Sequence, residues 1–125
     1  AGAVADAMAL FEKFEAKLTE VNGNLQKAVV EMAKDWRTDK ILRELDALLA
    51  IMDTKSAYLL SGSGDVIEPD DQVISIGSGS GYAVAAARAY LDAGEKRPTV
   101  IVKNAMKITA ELCIYTNNNI TILEA

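Results

Sequence analysis

The first forty residues alternate apolar and charged positions with helical spacing. Across residues 3–21, apolar side chains recur every three or four positions with charged side chains between them. A second apolar stripe comprises Leu25, Ala28, Val29, Met32, Ala33 and Trp36. Gly23 lies between the stripes as a helix stop, and Asn22 or Asn24 is a candidate cap for the second helix. This pattern predicts two antiparallel helices joined by a short Asn-Gly-Asn turn.

The pattern changes after residue 46, where short apolar runs bounded by turn residues replace the helical spacing. Residues 47–52, 57–60, 66–68 and 73–76 predict four short strands, the first of them buried on both faces. The glycine-rich segment 61–65 predicts a hairpin turn. Strands clustered between helix pairs indicate an antiparallel sheet layered against helices, which is an α+β arrangement, and not alternating βαβ units.

The last fifty residues contain a second helix pair. The segment Gly77-Ser78-Gly79-Ser80-Gly81 precedes an alanine-rich helix predicted over residues 82–93, which Gly94 ends. Pro98 suits the first turn of a further helix whose apolar positions run from Val100 to Tyr115. Residues 120–123 predict a closing strand. A length of 125 residues fits a single domain over 1–125.

Composition narrows the chemistry of the chain. It has no histidine and one cysteine, Cys113, which excludes Ser-His-Asp and Cys-His catalysis and zinc sites built from several such ligands. A net charge of −5 argues against a nucleic-acid partner. The longest apolar run, residues 47–52, is too short for a membrane span. A single cysteine forms no internal disulfide, which predicts a reducing, cytoplasmic location.

Three interpretations of the glycine-rich turn remain open. Backbone N–H groups at a helix N-terminus favour anions, so Gly77 to Gly81 is a candidate phosphate-binding loop of an α/β domain. Its glycine spacing matches neither the dinucleotide fingerprint nor a P-loop. Alternatively, the turn lets a helix start close to a sheet, with Ser78 or Ser80 as its cap. The third interpretation places Ser78 in a site whose other members come from elsewhere.

Five segments of the chain carry a resemblance to one known family. The first comprises Ala1-Gly2, Ala5-Asp6-Ala7 and residues 10–18; the others are Ala-Lys-Asp-Trp-Arg-Thr-Asp-Lys at 33–40, Gly-Asp-Val-Ile-Glu-Pro-Asp-Asp at 64–71, Ile-Gly-Ser-Gly at 76–79 and Cys-Ile-Tyr-Thr-Asn at 113–117. In order and with matching spacing along nearly the whole chain, they resemble the HslV (ClpQ) family, the proteasome-like peptidase subunits of the bacterial HslUV complex, and the first segment resembles that family's first long helix. The least familiar part is Asp92 to Lys103, where residues 95–102 depart from the usual pattern.

The resemblance implies a fold, an assembly and a reaction. The family fold is that of N-terminal-nucleophile hydrolases, a sandwich of antiparallel sheets between helix layers. Its members form two stacked hexameric rings and degrade unfolded polypeptides that the HslU-type ATPase delivers. The family's threonine nucleophile, its α-amino base, its lysine and the first strands correspond to sequence upstream of Ala1. We therefore expect the chain to be a partial domain without its nucleophile, inactive by itself.

The resemblance carries over only a few functional residues. Ser78 matches an auxiliary serine that supports proton movement near the nucleophile. Ala110, Cys113 and Thr116 match positions whose carbonyl oxygens bind a monovalent cation, typically sodium; an ordinary helix end is the alternative. Cys113 itself is expected to be a packing residue. No nucleotide is expected on this subunit. A non-catalytic subunit that only assembles is the alternative function.

Overall fold

The computed structural model describes residues 1–43, 47–61 and 63–125. The chain forms two compact units, residues 1–74 and residues 75–125. The single domain expected over 1–125 stays a prediction. No helix in the described ranges is long and apolar enough to cross a membrane.

The first unit begins with the predicted helix pair. Helix α1 spans Val4–Glu20 and α2 spans Leu25–Thr38. Gly23 in the turn between them has a φ of +79°, which a residue with a side chain rarely adopts. Asn24 is the cap, because its side chain accepts a 3.0 Å hydrogen bond from the backbone N–H of Lys27. Both helices and their turn are thus confirmed.

An ion pair joins the two helices at their surface. Lys17 Nζ of α1 lies 2.9 Å from Asp35 Oδ2 of α2, and the hydrogen bond to this carboxylate raises the pKa of Lys17. The apolar stripe of α2 is buried except for Leu25, which is half-buried. The core of this unit comprises Leu10, Val29, Met32, Ala33, Trp36, Leu42, Ala47, Ile51, Tyr58 and Leu60. Leu42 comes from the short helix α3, Lys40–Arg43.

A three-stranded antiparallel sheet completes the first unit. Its strands are β1 Leu48–Met52, β2 Ala57–Ser61 and β3 Val66–Ile67, in the order β1-β2-β3. These confirm the first three predicted strands. The prediction that the first strand is buried on both faces is wrong, since Leu48 and Met52 are exposed and only Ile51 of β1 is buried.

The turns of the sheet follow from polar residues. Asp53 Oδ1 accepts hydrogen bonds from the backbone N–H groups of Lys55 and Ser56, at 2.8 and 2.7 Å, and these bonds lower the pKa of Asp53. The predicted 61–65 turn connects β2 and β3, although Gly62 lies outside the described residues. On the other edge of the sheet, Ala1 exchanges two backbone hydrogen bonds with Leu48, of 2.8 and 2.7 Å.

The second unit is a helix pair. Helix α4 spans Ser80–Asp92 and α5 spans Pro98–Leu112, close to the predicted 82–93 helix and to the predicted start at Pro98. The chain leaves α4 through Gly94, whose φ is +94°. The helix predicted to carry apolar positions as far as Tyr115 ends earlier, at Leu112, and Cys113 is its C-cap with an extended backbone.

Two predicted strands are wrong. Residues 73–76 and 120–123 form no strand, and no backbone ladder joins either of them to another described segment. Each is an apolar, β-branched run, but such a run becomes a strand only when a neighbouring strand accepts its hydrogen bonds. A periodic pattern identifies candidates for pairing without identifying the partner, which is why the prediction failed at these two segments.

Candidate functional site

Gly79 brings the start of α4 against the end of α5. It is buried as the N-cap residue of α4, and a Cβ atom placed on it would overlap the Cγ2 methyl of Thr109. The same Cβ would lie 3.0 Å from Thr116 Cγ2 and 3.9 Å from Cys113 Cβ. The glycine therefore gives α5 the space to pack directly against the turn that carries Ser78.

Ser78 is an exposed residue at this turn. Helix α4 has no side-chain cap, so neither Ser78 nor Ser80 caps it, and that prediction is wrong. The physical reason is that α4 begins at Ser80 with Gly79 as N-cap, which moves both hydroxyl groups away from the capping position. The turn is closed by backbone, with Ser80 N–H donating to the Gly77 carbonyl at 3.1 Å.

Helix α5 ends in a tight loop built around Thr116. Thr116 Oγ1 lies 2.7 Å from the Cys113 carbonyl oxygen and 3.1 Å from that of Thr109, within donating distance of both. The backbone N–H of Thr116 also donates to Cys113, at 3.1 Å, and the N–H of Cys113 donates to Thr109 at 2.8 Å. The loop after the helix is thus folded back onto the last helical turn.

The three carbonyl groups expected to bind a cation all lie in this segment. Ala110 is half-buried in the last turn of α5, Cys113 is buried and Thr116 is half-buried. The last carbonyl groups of a helix lack intrahelical partners and carry the negative end of the helix dipole. Apart from bonds within helices, no backbone N–H among residues 1–43, 47–61 and 63–125 donates to the carbonyl oxygen of Ala110 or to that of Thr116.

No acidic metal site competes with this helix end. Within the described ranges, no group of three or more cysteine, aspartate or glutamate side chains is placed to hold a metal ion. Cys113 is a free, buried thiol against the Gly79 backbone, where its small side chain fits the packing role expected of it.

The geometry argues against the phosphate interpretation of the glycine-rich turn. In phosphate loops, glycine allows the backbone to approach an anion closely. Here the space that a Gly79 side chain would need is filled by the methyl group of Thr109 in α5 and by that of Thr116 in the loop after it. Gly81 has open space around its Cβ position and lies inside α4. The close approach at this turn is between two helices of one protein chain.

The divergent segment between α4 and α5 has its own ordering interaction. Arg97 forms a two-pronged ion pair with Glu95, with Nε and Nη2 lying 2.8 and 2.9 Å from the carboxylate oxygens. The Arg97 backbone N–H donates to the same carboxylate at 3.0 Å. These bonds from Arg97 lower the pKa of Glu95 to about 2. They shape the loop directly before Pro98, where α5 begins.

Sequence reasoning missed one member of this site. Thr109 is buried on α5, where its hydroxyl donates to the Ala105 carbonyl at 2.7 Å and its methyl faces Gly79. Its polar side chain removed it from the predicted apolar positions, although it lies four residues after Ala105, on the same helix face. The four-residue spacing from Ala105 could have identified Thr109 as a buried position.

Comparison with known proteins places the whole chain in one protein family. A family model described as "Proteasome subunit" matches residues 1–125. The chain is 56% identical over 124 residues to the ATP-dependent protease subunit HslV of Caldicellulosiruptor saccharolyticus, covering 99% of this chain and 70% of that protein. The HslV of Pseudothermotoga lettingae gives the same identity and coverage. The crystal structure of eukaryotic HslV from Trypanosoma brucei superposes with a TM-score of 0.88 at 40% identity, covering 94% of this chain and 68% of that one.

Proposed function

The chain belongs to the HslV family of proteasome-type protease subunits. From this we propose that it is a subunit of a threonine-type endopeptidase that degrades unfolded polypeptides. The observation that carries the proposal is the 56% identity to HslV subunits over 99% of the chain. That span includes the Ser78 turn and the end of α5. The absence of histidine fits a reaction whose base is an α-amino group.

We assign the 125 residues a supporting part in this reaction. Residue 1 is alanine, which has an amine but no hydroxyl, so these residues by themselves hold no threonine nucleophile at their N-terminus. Ser78 is the auxiliary residue, exposed at the turn before α4, where its hydroxyl is available to a group brought beside it. Its proposed task is to accept and return a proton near the nucleophile.

The proposed setting is a homo-oligomer of two stacked hexameric rings in the cytoplasm, working with an HslU-type ring ATPase. The relatives' name, ATP-dependent protease subunit, supports the ATPase partner. Exposed apolar residues on α1, among them Val4 at 80% and Phe11 at 54% exposure, are consistent with subunit contacts.

The proposal is tested by fusing the N-terminal segment of the Caldicellulosiruptor relative ahead of Ala1. We expect no peptide hydrolysis from the 125-residue chain and measurable hydrolysis of a fluorogenic peptide from the fusion. Alanine in place of the fusion's first threonine is the matched control and abolishes turnover. Ser78→Ala in the fusion lowers kcat by about a hundredfold, the lower end of the range for a proton-transfer group. A fusion that assembles into rings but stays inactive contradicts the proposal.

We also propose a sodium ion at the carbonyl groups of Ala110, Cys113 and Thr116. The Ala110 and Thr116 oxygens fit the ion, because hard cations prefer oxygen ligands and these carbonyls lie at the negative end of α5. The Cys113 oxygen accepts two hydrogen bonds from Thr116, so it would bind sodium while sharing its lone pairs with them. The folded-back loop supports the fit, since it keeps Cys113 and Thr116 beside the last helical turn. When bound, sodium would supply positive charge that holds the loop and the Ser78 turn in place.

Sodium binding predicts a cation-specific gain in stability. A ligand at ten times its Kd raises the free energy of unfolding by about 1.4 kcal/mol. The melting temperature of the chain should therefore rise in sodium chloride relative to choline chloride at equal ionic strength. Differential scanning calorimetry over a series of salt concentrations gives the Kd. Equal melting temperatures in the two salts at every concentration would count against a sodium site.

A further inference from the structure

We propose that the Thr116 side chain is a positioning residue that couples the carbonyl groups at the end of α5 to the turn carrying Ser78. This inference rests on the proposed function, because it links the loop that would bind sodium to the turn that carries the auxiliary residue Ser78. Thr116 is half-buried in the loop, and its two side-chain branches face different partners. Its role is carried by the side chain, whereas the proposed sodium ligand of Thr116 is its backbone oxygen.

The hydroxyl branch fixes the carbonyl loop. Thr116 Oγ1 is 2.7 Å from the Cys113 oxygen and 3.1 Å from the Thr109 oxygen, seven residues back in α5. Among the residues the structure describes, no other side chain donates a hydrogen bond to these two oxygens. The Thr116 and Cys113 backbone N–H groups bond the same two oxygens, and together with them the hydroxyl closes the loop onto the helix and orients the Cys113 carbonyl, a proposed cation ligand.

The methyl branch reaches the other helix. Thr116 Cγ2 lies 3.0 Å from the position that a Gly79 Cβ would take, so it packs on the backbone of the residue that follows Ser78. Because α4 has no side-chain cap, the turn is held by the Thr116 methyl, by the Thr109 methyl on the same side of Gly79, and by the Ser80-to-Gly77 backbone bond. A displacement of the carbonyl loop would move the methyl away from Gly79 and release the turn.

Two substitutions separate the branches. Thr116→Val keeps the methyl group and replaces the hydroxyl with a second methyl group of similar size. Thr116→Ser keeps the hydroxyl and removes the methyl group. The matched control is Thr38→Val, which removes a hydroxyl that bonds a helix carbonyl, that of Lys34 at 2.8 Å, far along the chain in α2. Valine is close to threonine in shape, so the folded state of each variant is checked by circular dichroism before further measurement.

The experiment is a sodium titration of the 125-residue chain followed by NMR at the Gly79 and Ser80 amide groups, with calorimetry in parallel. In the unaltered chain, sodium should shift the Gly79 amide resonance although Gly79 is not a proposed ligand. Thr116→Val should weaken sodium binding about fivefold, the equivalent of one hydrogen bond. Thr116→Ser should bind sodium within about twofold of the unaltered chain, as expected when that hydrogen bond is kept, and lose most of the Gly79 shift. Thr38→Val should change neither reading.

Failure of this inference is distinguishable from failure of the sodium proposal. Unchanged sodium affinity and an unchanged Gly79 shift in Thr116→Val would overturn the coupling role while leaving the sodium site in place. If the unaltered chain shows no sodium response, the sodium proposal fails, and the coupling is judged by amide hydrogen exchange in choline chloride. Thr116→Val should then speed exchange at both Cys113 and Ser80, and Thr116→Ser should restore the Cys113 protection. Unaltered exchange at Ser80 would overturn the coupling.

Discussion

Replacing Gly79 with alanine is expected to lower the free energy of unfolding of the chain by about 1–3 kcal/mol, the usual cost of overpacking a well-filled site. The new Cβ would overlap Thr109 Cγ2 and crowd Thr116 Cγ2 at 3.0 Å. Backbone strain contributes little, since Gly79 has φ −92° and ψ 5°, in the bridge region that residues with side chains occupy in type I turns. The effect is therefore mainly steric and separates α4 from α5. Urea unfolding followed by circular dichroism measures it.

Gly81→Ala is the matched control two residues later. Gly81 lies inside α4 and its Cβ position has open space, so alanine there should stabilise the chain by about 0.4–1 kcal/mol through the unfolded state. If Gly79→Ala lowers the free energy of unfolding and Gly81→Ala raises it, the effect at Gly79 comes from packing and not from helix propensity. A destabilising Gly81→Ala would show that the turn is constrained by something other than the contact at Gly79.

A double substitution tests the proposed cause of the Gly79 effect. Thr109→Ser removes the overlapping methyl and keeps the hydroxyl that donates to Ala105. In this background, Gly79→Ala should cost at least 1 kcal/mol less than in the unaltered chain, a coupling within the range for residues in direct contact. Additive costs for the two substitutions would mean that Thr109 yields without penalty, and the cost would then belong to Thr116 or to the backbone.

Periodicity predicted the elements whose stability is local. Both helices of the first pair were found within one or two residues, because a helical stripe, the glycine at position 23 and the cap at Asn24 all lie within a single stretch of chain. The hairpin strands were found for the same reason. Residues 73–76 and 120–123 were mistaken for strands, because pairing depends on a partner that periodicity does not identify.

In the candidate site, too, sequence indicated the local features but not the contacts between distant residues. The resemblance to HslV drew attention to Ser78 and to the carbonyl groups near Cys113, and family membership is confirmed by the comparisons. The contact of Gly79 with Thr109 joins residues thirty positions apart, and no spacing rule in either segment indicates it. The roles of Ser78, Ala110, Cys113 and Thr116 remain proposals. What the structure adds is the packing that holds their segments together.

The core of the first unit offers the second large effect, at Trp36. This residue is fully buried on α2, and truncation to alanine should cost about 3–5 kcal/mol. Ile41→Ala is the control, because Ile41 is 76% exposed on α3 and its truncation should stay within about 0.5 kcal/mol, as for most surface substitutions. Both values come from urea unfolding, with the midpoint and the slope fitted separately.

Trp36→Phe tests the cost of the indole nitrogen itself. Trp36 Nε1 is buried and has no hydrogen-bond partner in the part of the chain that the structure describes. A buried, unsatisfied N–H costs about 1–3 kcal/mol, so phenylalanine loses packing but also removes that penalty. We expect Trp36→Phe to cost less than half as much as Trp36→Ala. Equal costs for Trp36→Phe and Trp36→Ala would contradict an unsatisfied indole N–H in the folded protein.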